Sequence, residues 1–213
     1  EDESAGRLTI DDQVITVNSG GNGGATISVD TANLLEATTT GVVTASIATT
    51  ESLTELNTLT GTNGAYTIVV RTGDATTATA EQLNTLNGKT TVAVNLTNVT
   101  ALAESSLSDL NTLAIAIIND EFSNETGLTT IAVTDGTIDA TTLATVIDSY
   151  DVINGGGTTG MTLASGATIN VDAGEITEML ADESAGRLTI SDQVITVNSA
   201  ATITVDTANL LEA

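Results

Sequence analysis

Short stretches in which apolar and polar residues alternate recur along the chain and predict β-strands. In ATITVD, at residues 201–206, Ile203 and Val205 fall on one face and threonines fall on the other. This is the period-two pattern of a half-buried strand. Three further stretches are predicted to be strands, at residues 66–70, 92–96 and 131–133. The β-branched residues that dominate them favour strands, so the chain is predicted to be rich in strands.

A second pattern places a Leu or Ile four positions after a residue suited to opening a helix, and it predicts short helices. The opening residues are Asp30, Thr49, Thr79, Ala103, Asp139, Asp172 and Asp206. The apolar anchors that follow them are Leu34, Leu53, Leu83, Leu107, Leu143, Ile176 and Leu210. Each opening residue is interpreted as an N-cap, and Thr79 with Gln82 and Asp172 with Glu175 have the spacing of a capping box.

A long segment occurs twice. Residues 2–19 return as residues 182–199 with one difference, Asp11 against Ser191. After GGNGG in the first copy, which a single Ala200 replaces in the second, the match resumes, so that residues 2–37 correspond to residues 182–213. A four-residue difference of this kind marks a surface turn. The chain is therefore interpreted as one long repeat with overlapping ends.

These patterns predict an all-β fold with short helices, a parallel β-solenoid or β-helix that we expect to be right-handed. The short units average about 29 residues, within the range of stacked repeats, and stacking would bury an apolar face that one unit cannot bury alone. Residues 1–213 would then form a single elongated solenoid. The alternative is a leucine-rich-repeat-like solenoid, to which LSDLNTLAIAIIND at residues 107–120 comes closest.

Charge limits the classes of partner. The chain has 28 Asp and Glu against 4 Lys and Arg, a net charge of −24. We expect no nucleic-acid binding, because that depends on basic residues that neutralise phosphates. We also expect no membrane insertion, because the longest apolar run, Leu113 to Ile118, is far shorter than the roughly 20 residues that span a bilayer. Ca²⁺ is the electrostatically natural ligand.

The residue types also argue against catalysis. The chain has no His and no Cys, and His is the commonest general base. The carboxylate pairs Asp11–Asp12 and Asp120–Glu121 are the remaining candidates, but neighbours in a strand point to opposite faces. We therefore expect no enzymatic activity and no catalytic or cofactor-binding residues.

Two turns carry oxygen donors with the spacing of calcium loops. Asn119, Glu121, Ser123 and Glu125 alternate through NDEFSNETG, and Asp135 lies in the next turn. Ca²⁺ takes six to eight oxygen ligands from carboxylates and loop carbonyls. These five residues are the candidate metal ligands, with solvated turns as the alternative interpretation.

The phrases LTELNTLTG, AEQLNTLNGKTTVAV and GVVTAS, with the long Thr-rich duplication, resemble acidic repeat regions of giant secreted bacterial surface proteins of the RTX-adhesin and haemolysin-like kind. GGNGGATIS resembles their Ca²⁺-binding nonapeptide, but Ala25 stands at the place of the ligand Asp. The resemblance implies an extracellular or cell-surface location.

The predicted function is a structural segment of a large extracellular protein that forms a surface layer, sheath, filament or stalk. The alternative is a Ca²⁺-dependent adhesin or glycan-binding module. The predicted partners are further copies of the same repeat, associating end to end or laterally, and surface polysaccharide.

Overall fold

The computed structural model describes residues 10–18, 26–61, 63–125, 127–155 and 158–198. Six α-helices lie in this part of the chain: α1 (Val29–Glu36), α2 (Leu53–Leu56), α3 (Ala80–Asn87), α4 (Leu107–Ile118), α5 (Ala140–Ile153) and α6 (Ile176–Ser184). A single 3₁₀ turn at Thr72–Asp74 accompanies them within the same ranges.

Thirteen strands of two to five residues complete the described secondary structure. They are β1 (Ile15–Thr16), β2 (Thr26–Ile27), β3 (Val43–Ile47), β4 (Ala65–Thr67), β5 (Val94–Asn95), β6 (Ala101–Ser105), β7 (Phe122–Ser123), β8 (Thr130–Val133), β9 (Thr137–Asp139), β10 (Gly160–Thr162), β11 (Thr168–Val171), β12 (Leu188–Thr189) and β13 (Val194–Val197). We call each helix, together with the strands that precede it, a unit.

All the strand pairs in the described ranges are parallel. Each joins one unit to the next, and β12 and β13, which follow α6, pair with strands of the last unit. β3 pairs with β1 and β2 on one side and with β4 on the other. β5 pairs with β7, and the remaining strands form the sheets β12-β10-β8-β6 and β13-β11-β9. Apolar residues align across the pairs: Met161 lies opposite Ile131 on one side and Leu188 on the other, and all three are buried.

The helices pack on the sheets with the same three positions facing inward. The first and fourth residues of every helix are buried, as Ala80 and Leu83 are in α3. The seventh residue is also buried in α3, α4 and α5, where it is Leu86, Leu113 or Val146. Each helix from α2 to α5 contacts the next one. The buried apolar residues of all units belong to one hydrophobic cluster.

The predicted fold class was wrong. The structure is a mixed α/β fold of parallel sheets covered by helices, rather than an all-β solenoid. The leucine-rich-repeat alternative was wrong as well, since its best segment forms the continuous helix α4. The error arose because the helices were expected to be short, whereas α4 has 12 residues and α5 has 14. α5 contains three Thr and two Val residues, and burial at a spacing of three residues outweighed the strand preference of these side chains.

The apolar anchors divide into three groups. Five of them are buried in the common cluster: Leu53, Leu83, Leu107, Leu143 and Ile176. Leu34 is 67% exposed, because Val29 and Ala32 are the residues by which α1 packs on the core. Leu210 lies outside the described residues. The five buried anchors are not equivalent, since three of them begin their helices and two are fourth residues.

This difference explains which helix starts were predicted correctly. Thr79 and Asp139 are N-caps as predicted, and Thr79 forms a capping box with Gln82 at 3.1 and 3.2 Å. The predicted starts at Thr49, Ala103 and Asp172 were three residues too early, because the anchor that follows each is the first helical residue.

Two opening residues remain. The start at Asp30 was wrong because Ser28 caps α1, and Asp206 lies outside the described residues.

Candidate functional site

The two copies of the duplicated segment contact different neighbours. β1 belongs to the first copy and pairs with β3 of the following unit. β13 belongs to the second copy and pairs with β11 of the preceding unit. Residues 14–17 and 194–197 have the same sequence, Val-Ile-Thr-Val. One strand sequence therefore pairs with a preceding unit in one place and with a following unit in the other.

In the first copy, the odd-numbered residues face the neighbouring strand. Ile15 N donates to Val42 O at 2.9 Å, and Val17 N donates to Thr44 O at 2.8 Å. The backbone groups of successive residues in a strand point alternately to its two sides. The N–H and C=O of Thr16 therefore point away from β3.

In the second copy, the even-numbered residues face the neighbouring strand. Val194 N donates to Ala167 O at 2.8 Å, and Asn198 N donates to Val171 O at 3.0 Å. The duplicated positions differ by 180, so odd and even numbers correspond between the copies. The two copies thus use opposite edges of the same strand sequence. A strand in the middle of a sheet would use both edges at once.

A side chain of the duplicated segment follows the same rule. Oδ1 of Asp12 accepts a hydrogen bond from Thr40 Oγ1, in the following unit, at 2.8 Å. Its equivalent, Asp192, accepts one at Oδ2 from Ser165 Oγ, in the preceding unit, at 2.5 Å. The hydrogen bond from Ser165 lowers the pKa of Asp192. Each copy therefore bonds one neighbouring unit through this aspartate, which is the following unit in the first copy and the preceding unit in the second.

The burial of their apolar residues shows that β1 and β13 are each covered by a neighbouring strand on one side. Ile169 of β11, which has strands on both sides, is fully buried. The inward-facing residues of the duplicated strand are only partly buried: Ile15, Val17, Ile195 and Val197. In the described part of the chain, β1 and β13 each pair with a single strand. The free sides of β1 and β13, which we call the two open edges, form the candidate functional site.

Two of the predicted metal ligands lie in the turn after α4. Asn119 is the C-cap of that helix, and the following residue, Asp120, has a φ of 61°. Glu121 Oε2 accepts a hydrogen bond from Asn87 Nδ2 of α3. The turn therefore ties the ends of two neighbouring helices together and occupies one oxygen of Glu121.

Ser123 and Glu125 lie in strand β7 and just after it. Ser123 lies in β7 opposite Asn95. Oε2 of Glu125 is buried and has no hydrogen-bond partner among the described residues. A buried carboxylate oxygen is costly unless a donor or a cation satisfies it. Glu125 is therefore the member of the predicted set whose surroundings best suit a ligand.

Asp135 lies at the end of α4 opposite to Asn119. Its Oδ2 accepts a hydrogen bond from Leu107 N, the first amide of α4, at 2.8 Å. Asn119 lies at the opposite end of this helix, about 18 Å away by the rise of 1.5 Å per residue. No group of three or more His, Cys, Asp or Glu side chains in the described part of the chain is arranged to hold a metal ion.

The two carboxylate pairs considered for catalysis are engaged in local structure. Asp12 bonds to Thr40, and the backbone carbonyl of Asp11 accepts hydrogen bonds from Thr39 and Thr40. In the second pair, Asp120 is the left-handed turn residue and Glu121 bonds to Asn87.

A partly buried ion-pair network in which Arg187 links α6 to α5 was missed from the sequence. Asp182 is the seventh residue of α6 and is 2% exposed. Arg187 Nη2 lies 2.5 Å from Asp182 Oδ1, and Arg187 Nη1 donates to Asp151 Oδ2 of α5 at 2.8 Å. The signal available in the sequence was the single charged residue at a position that other helices fill with Leu or Val.

Asp182 also borders a groove of about 170 Å³ between α5 and α6. Burial raises the pKa of Asp182, while Arg187 lowers it and the carboxylates of Asp148 and Glu178 raise it further. The groove is acidic, and Thr141 bridges its rim to Glu175. It has no basic side chain in its lining that could bind an anionic ligand.

Comparisons with known proteins found no matching family model, no matching curated protein and no matching solved structure. Among the described helices, none is both long enough and apolar enough to cross a lipid bilayer.

Proposed function

We propose that this chain is a non-catalytic structural segment of a large extracellular repeat protein, of the kind that forms a surface layer, sheath, filament or stalk. The observation that carries the proposal is the use of opposite edges by the two copies of one strand. β1 pairs with the unit after it, and β13 pairs with the unit before it. One copy placed between two such units would satisfy both edges.

The parallel pairing of successive units supports the same conclusion. Each unit shares its strands with its neighbours and adds to one continuous hydrophobic cluster. Proteins built this way gain stability from the interfaces between neighbours, so the array can be lengthened by adding repeats. A role in spanning distance fits this property better than a chemical role does, in a chain that has no His and no Cys.

Fusion proteins with one, two and three long repeats test the proposal. The repeats are joined seamlessly, with Thr189 followed directly by Ile10 of the next copy, so that each junction contains one duplicated strand. Electron microscopy should show particles that lengthen by a constant increment with each repeat. The midpoint of urea unfolding should rise from one repeat to two, because a junction strand with two neighbours replaces two half-covered ones.

A matched control joins complete chains through a flexible Gly/Ser linker, which keeps both copies of the segment at every junction. Its urea midpoint should be lower than that of the seamless fusion with the same number of repeats, because its junction holds two tethered copies of the strand rather than one continuous strand. Seamless fusions that do not lengthen, or that are no more stable than the linker control, would refute the structural role.

A Ca²⁺-dependent adhesin or glycan-binding module is the second candidate. The buried Oε2 of Glu125, which has no hydrogen-bond partner among the residues that the structure describes, favours it. A cation at this oxygen would satisfy it and would couple Ca²⁺ binding to the turn after α4. A rise in melting temperature that is specific to Ca²⁺ and depends on Glu125 tests this candidate.

A further inference from the structure

We infer that separate copies of this chain associate head to tail through the two open edges, with β13 of one copy pairing in parallel with β1 of the next. The partner is a second copy of the same chain. The inference rests on the proposed function and adds to it the surface, the orientation and the register of the contact.

Backbone hydrogen bonding is the first argument. In β13 the backbone groups of the even-numbered residues point to β11, so the N–H and C=O of Ile195 point to the open edge. In β1 the backbone groups of the odd-numbered residues point to β3, so the N–H and C=O of Thr16 point to the open edge. The edge that is open in β13 is the edge by which β1 pairs with β3. The edge that is open in β1 is the edge by which β13 pairs with β11. Both edges are therefore competent for parallel pairing, and they are complementary to each other.

Apolar coverage is the second argument. Pairing of the open edges would place β13 and β1 between strands on both sides, as β11 is placed between β9 and β13. Ile169 of β11 is fully buried in that arrangement. The partly buried residues at the contact, Ile15, Val17, Ile195 and Val197, would become buried in the same way. Burial of apolar surface of this kind favours association.

The arrangement does not close on itself. The two edges are different surfaces, so each added copy presents a fresh open edge of each type, and the product is a linear polymer rather than a dimer. The net charge of −24 on each copy opposes the contact. Salt screens this repulsion, so association should strengthen as the ionic strength is raised from 0.02 M to about 0.15 M, where the Debye length is about 8 Å.

Replacement of one backbone donor in the full chain tests the edge directly. Thr16→Pro removes the N–H that faces the open edge, and the exposed position and extended backbone tolerate proline at an edge strand. Thr16→Ala keeps the N–H and is the matched control. In sedimentation velocity over a concentration series, the wild type and Thr16→Ala should form concentration-dependent oligomers. Thr16→Pro should require at least about tenfold higher concentration for the same fraction, a loss of about 1.4 kcal/mol.

The melting temperature distinguishes a variant that has lost only the open-edge contact from one that has lost its fold. Thr16→Pro should melt close to the wild type, whereas Val17→Pro, which removes the donor to Thr44 O, should melt at a clearly lower temperature. A wild type that stays monomeric at all concentrations and salt levels would overturn the inference. Equal assembly of Thr16→Pro and Thr16→Ala would overturn it as well.

Cross-linking distinguishes edge pairing from exchange of the duplicated segments. The chain has no Cys, and paired strands lie about 4.8 Å apart, within reach of a disulfide. Thr16→Cys combined with Thr196→Cys should give ladders of disulfide-linked copies. Thr16→Cys combined with Asn170→Cys should not, although Asn170→Cys with Thr196→Cys should close within one chain, since these residues are paired.

Ladders from Thr16→Cys with Asn170→Cys alone would overturn the inference, because they would mean that β1 of one copy replaces β13 of another. If the seamless fusions lengthen with repeat number while the single chain stays monomeric, the proposed function stands and only the end-to-end contact fails. If the fusions do not lengthen, the structural role itself fails.

Discussion

Asp182 is the residue at which the inward-facing pattern of the helices changes. The corresponding residues of α3, α4 and α5 are Leu86, Leu113 and Val146, all buried. Asp182 is equally buried, and it relies on Arg187 for a counter-charge. Arg187 in turn holds Asp151 of α5. Burial outweighs Arg187 and raises the pKa of Asp182, so the folded chain favours the protonated form of this carboxyl more than the unfolded chain does.

We expect Asp182→Asn to stabilise the protein at pH 7. A group whose pKa is raised by folding contributes its full stability below the unfolded pKa and loses it as the pH rises through the folded value. The amide imitates the protonated carboxyl at every pH. The gain should be about 1 kcal/mol, the size typical of one substitution, and it should vanish as the pH falls below the unfolded pKa, near 3.9. Urea unfolding as a function of pH measures it.

Glu183→Gln is the control for this prediction, because it removes the same charge from an exposed neighbour on the same helix. It should change stability much less at pH 7. If Asp182→Asn is instead less stable than the wild type at pH 7, the ion pair with Arg187 outweighs the cost of burying the carboxylate.

At the scale of elements, three successive helices are capped by the unit that follows. The first amide of α2 donates to Asp74 Oδ2 at 2.8 Å, that of α3 to Ser105 Oγ at 2.9 Å, and that of α4 to Asp135 Oδ2 at 2.8 Å. These amides have no partner within their own helices, and a carboxylate there also interacts favourably with the helix dipole. Each bond therefore couples the start of one helix to the position of the next unit.

We expect Asp135→Ala to lower the free energy of unfolding by about 1 to 2 kcal/mol, the usual cost of losing a helix cap. Asp135→Asn keeps an oxygen acceptor and should cost less than half as much. Urea denaturation of both variants, with and without Ca²⁺, measures the effect. If Asp135→Ala costs nothing without Ca²⁺ but abolishes stabilisation by Ca²⁺, Asp135 acts as a metal ligand and not as a cap.

The helices also show how much of the fold could be predicted from the sequence. The capping box at Thr79 was predictable because both of its residues are local and lie before a clear apolar pattern. The helix after Asp139 was also predictable from Leu143, but its length was not, because ATTLATVIDSYDVI is rich in the β-branched residues that favour strands. Leu34 was misleading for a different reason, since it is followed by Leu35 and two adjacent leucines offer alternative faces to the core.

The candidate site was also only partly predictable from the sequence. The duplication itself, residues 2–19 and 182–199, is visible in the sequence. The edge that each copy uses is not, because it is set by β3 and β11, which lie about 27 residues away along the chain and are placed by tertiary packing. The ion pair of Asp182 with Arg187 depends on burial, which an apolar pattern interrupted by a charge does not predict.

At the scale of the whole molecule, charge and stacking oppose each other. A net charge of −24 on 213 residues disfavours the compact state through self-repulsion, while the parallel units share one apolar cluster. Any cation that gathers around the protein will relieve part of this repulsion. Stabilisation by Ca²⁺ therefore identifies a binding site only when it exceeds what other cations produce.

We expect Ca²⁺ and Mg²⁺ to raise the melting temperature equally at matched ionic strength, because relief of repulsion depends on charge and not on coordination geometry. A binding site would behave differently, since Ca²⁺ accepts more ligands in less regular geometry than Mg²⁺ does, and a site saturated 100-fold above its Kd would add about 2.7 kcal/mol. Differential scanning calorimetry in Na⁺, Mg²⁺ and Ca²⁺ separates the two cases. The variant Glu125→Gln tests the location of such a site, with Glu51→Gln as its control. A Ca²⁺-specific rise in melting temperature that disappears in Glu125→Gln but persists in Glu51→Gln would place a cation at the buried oxygen of Glu125. That result would favour the adhesin over the purely structural segment.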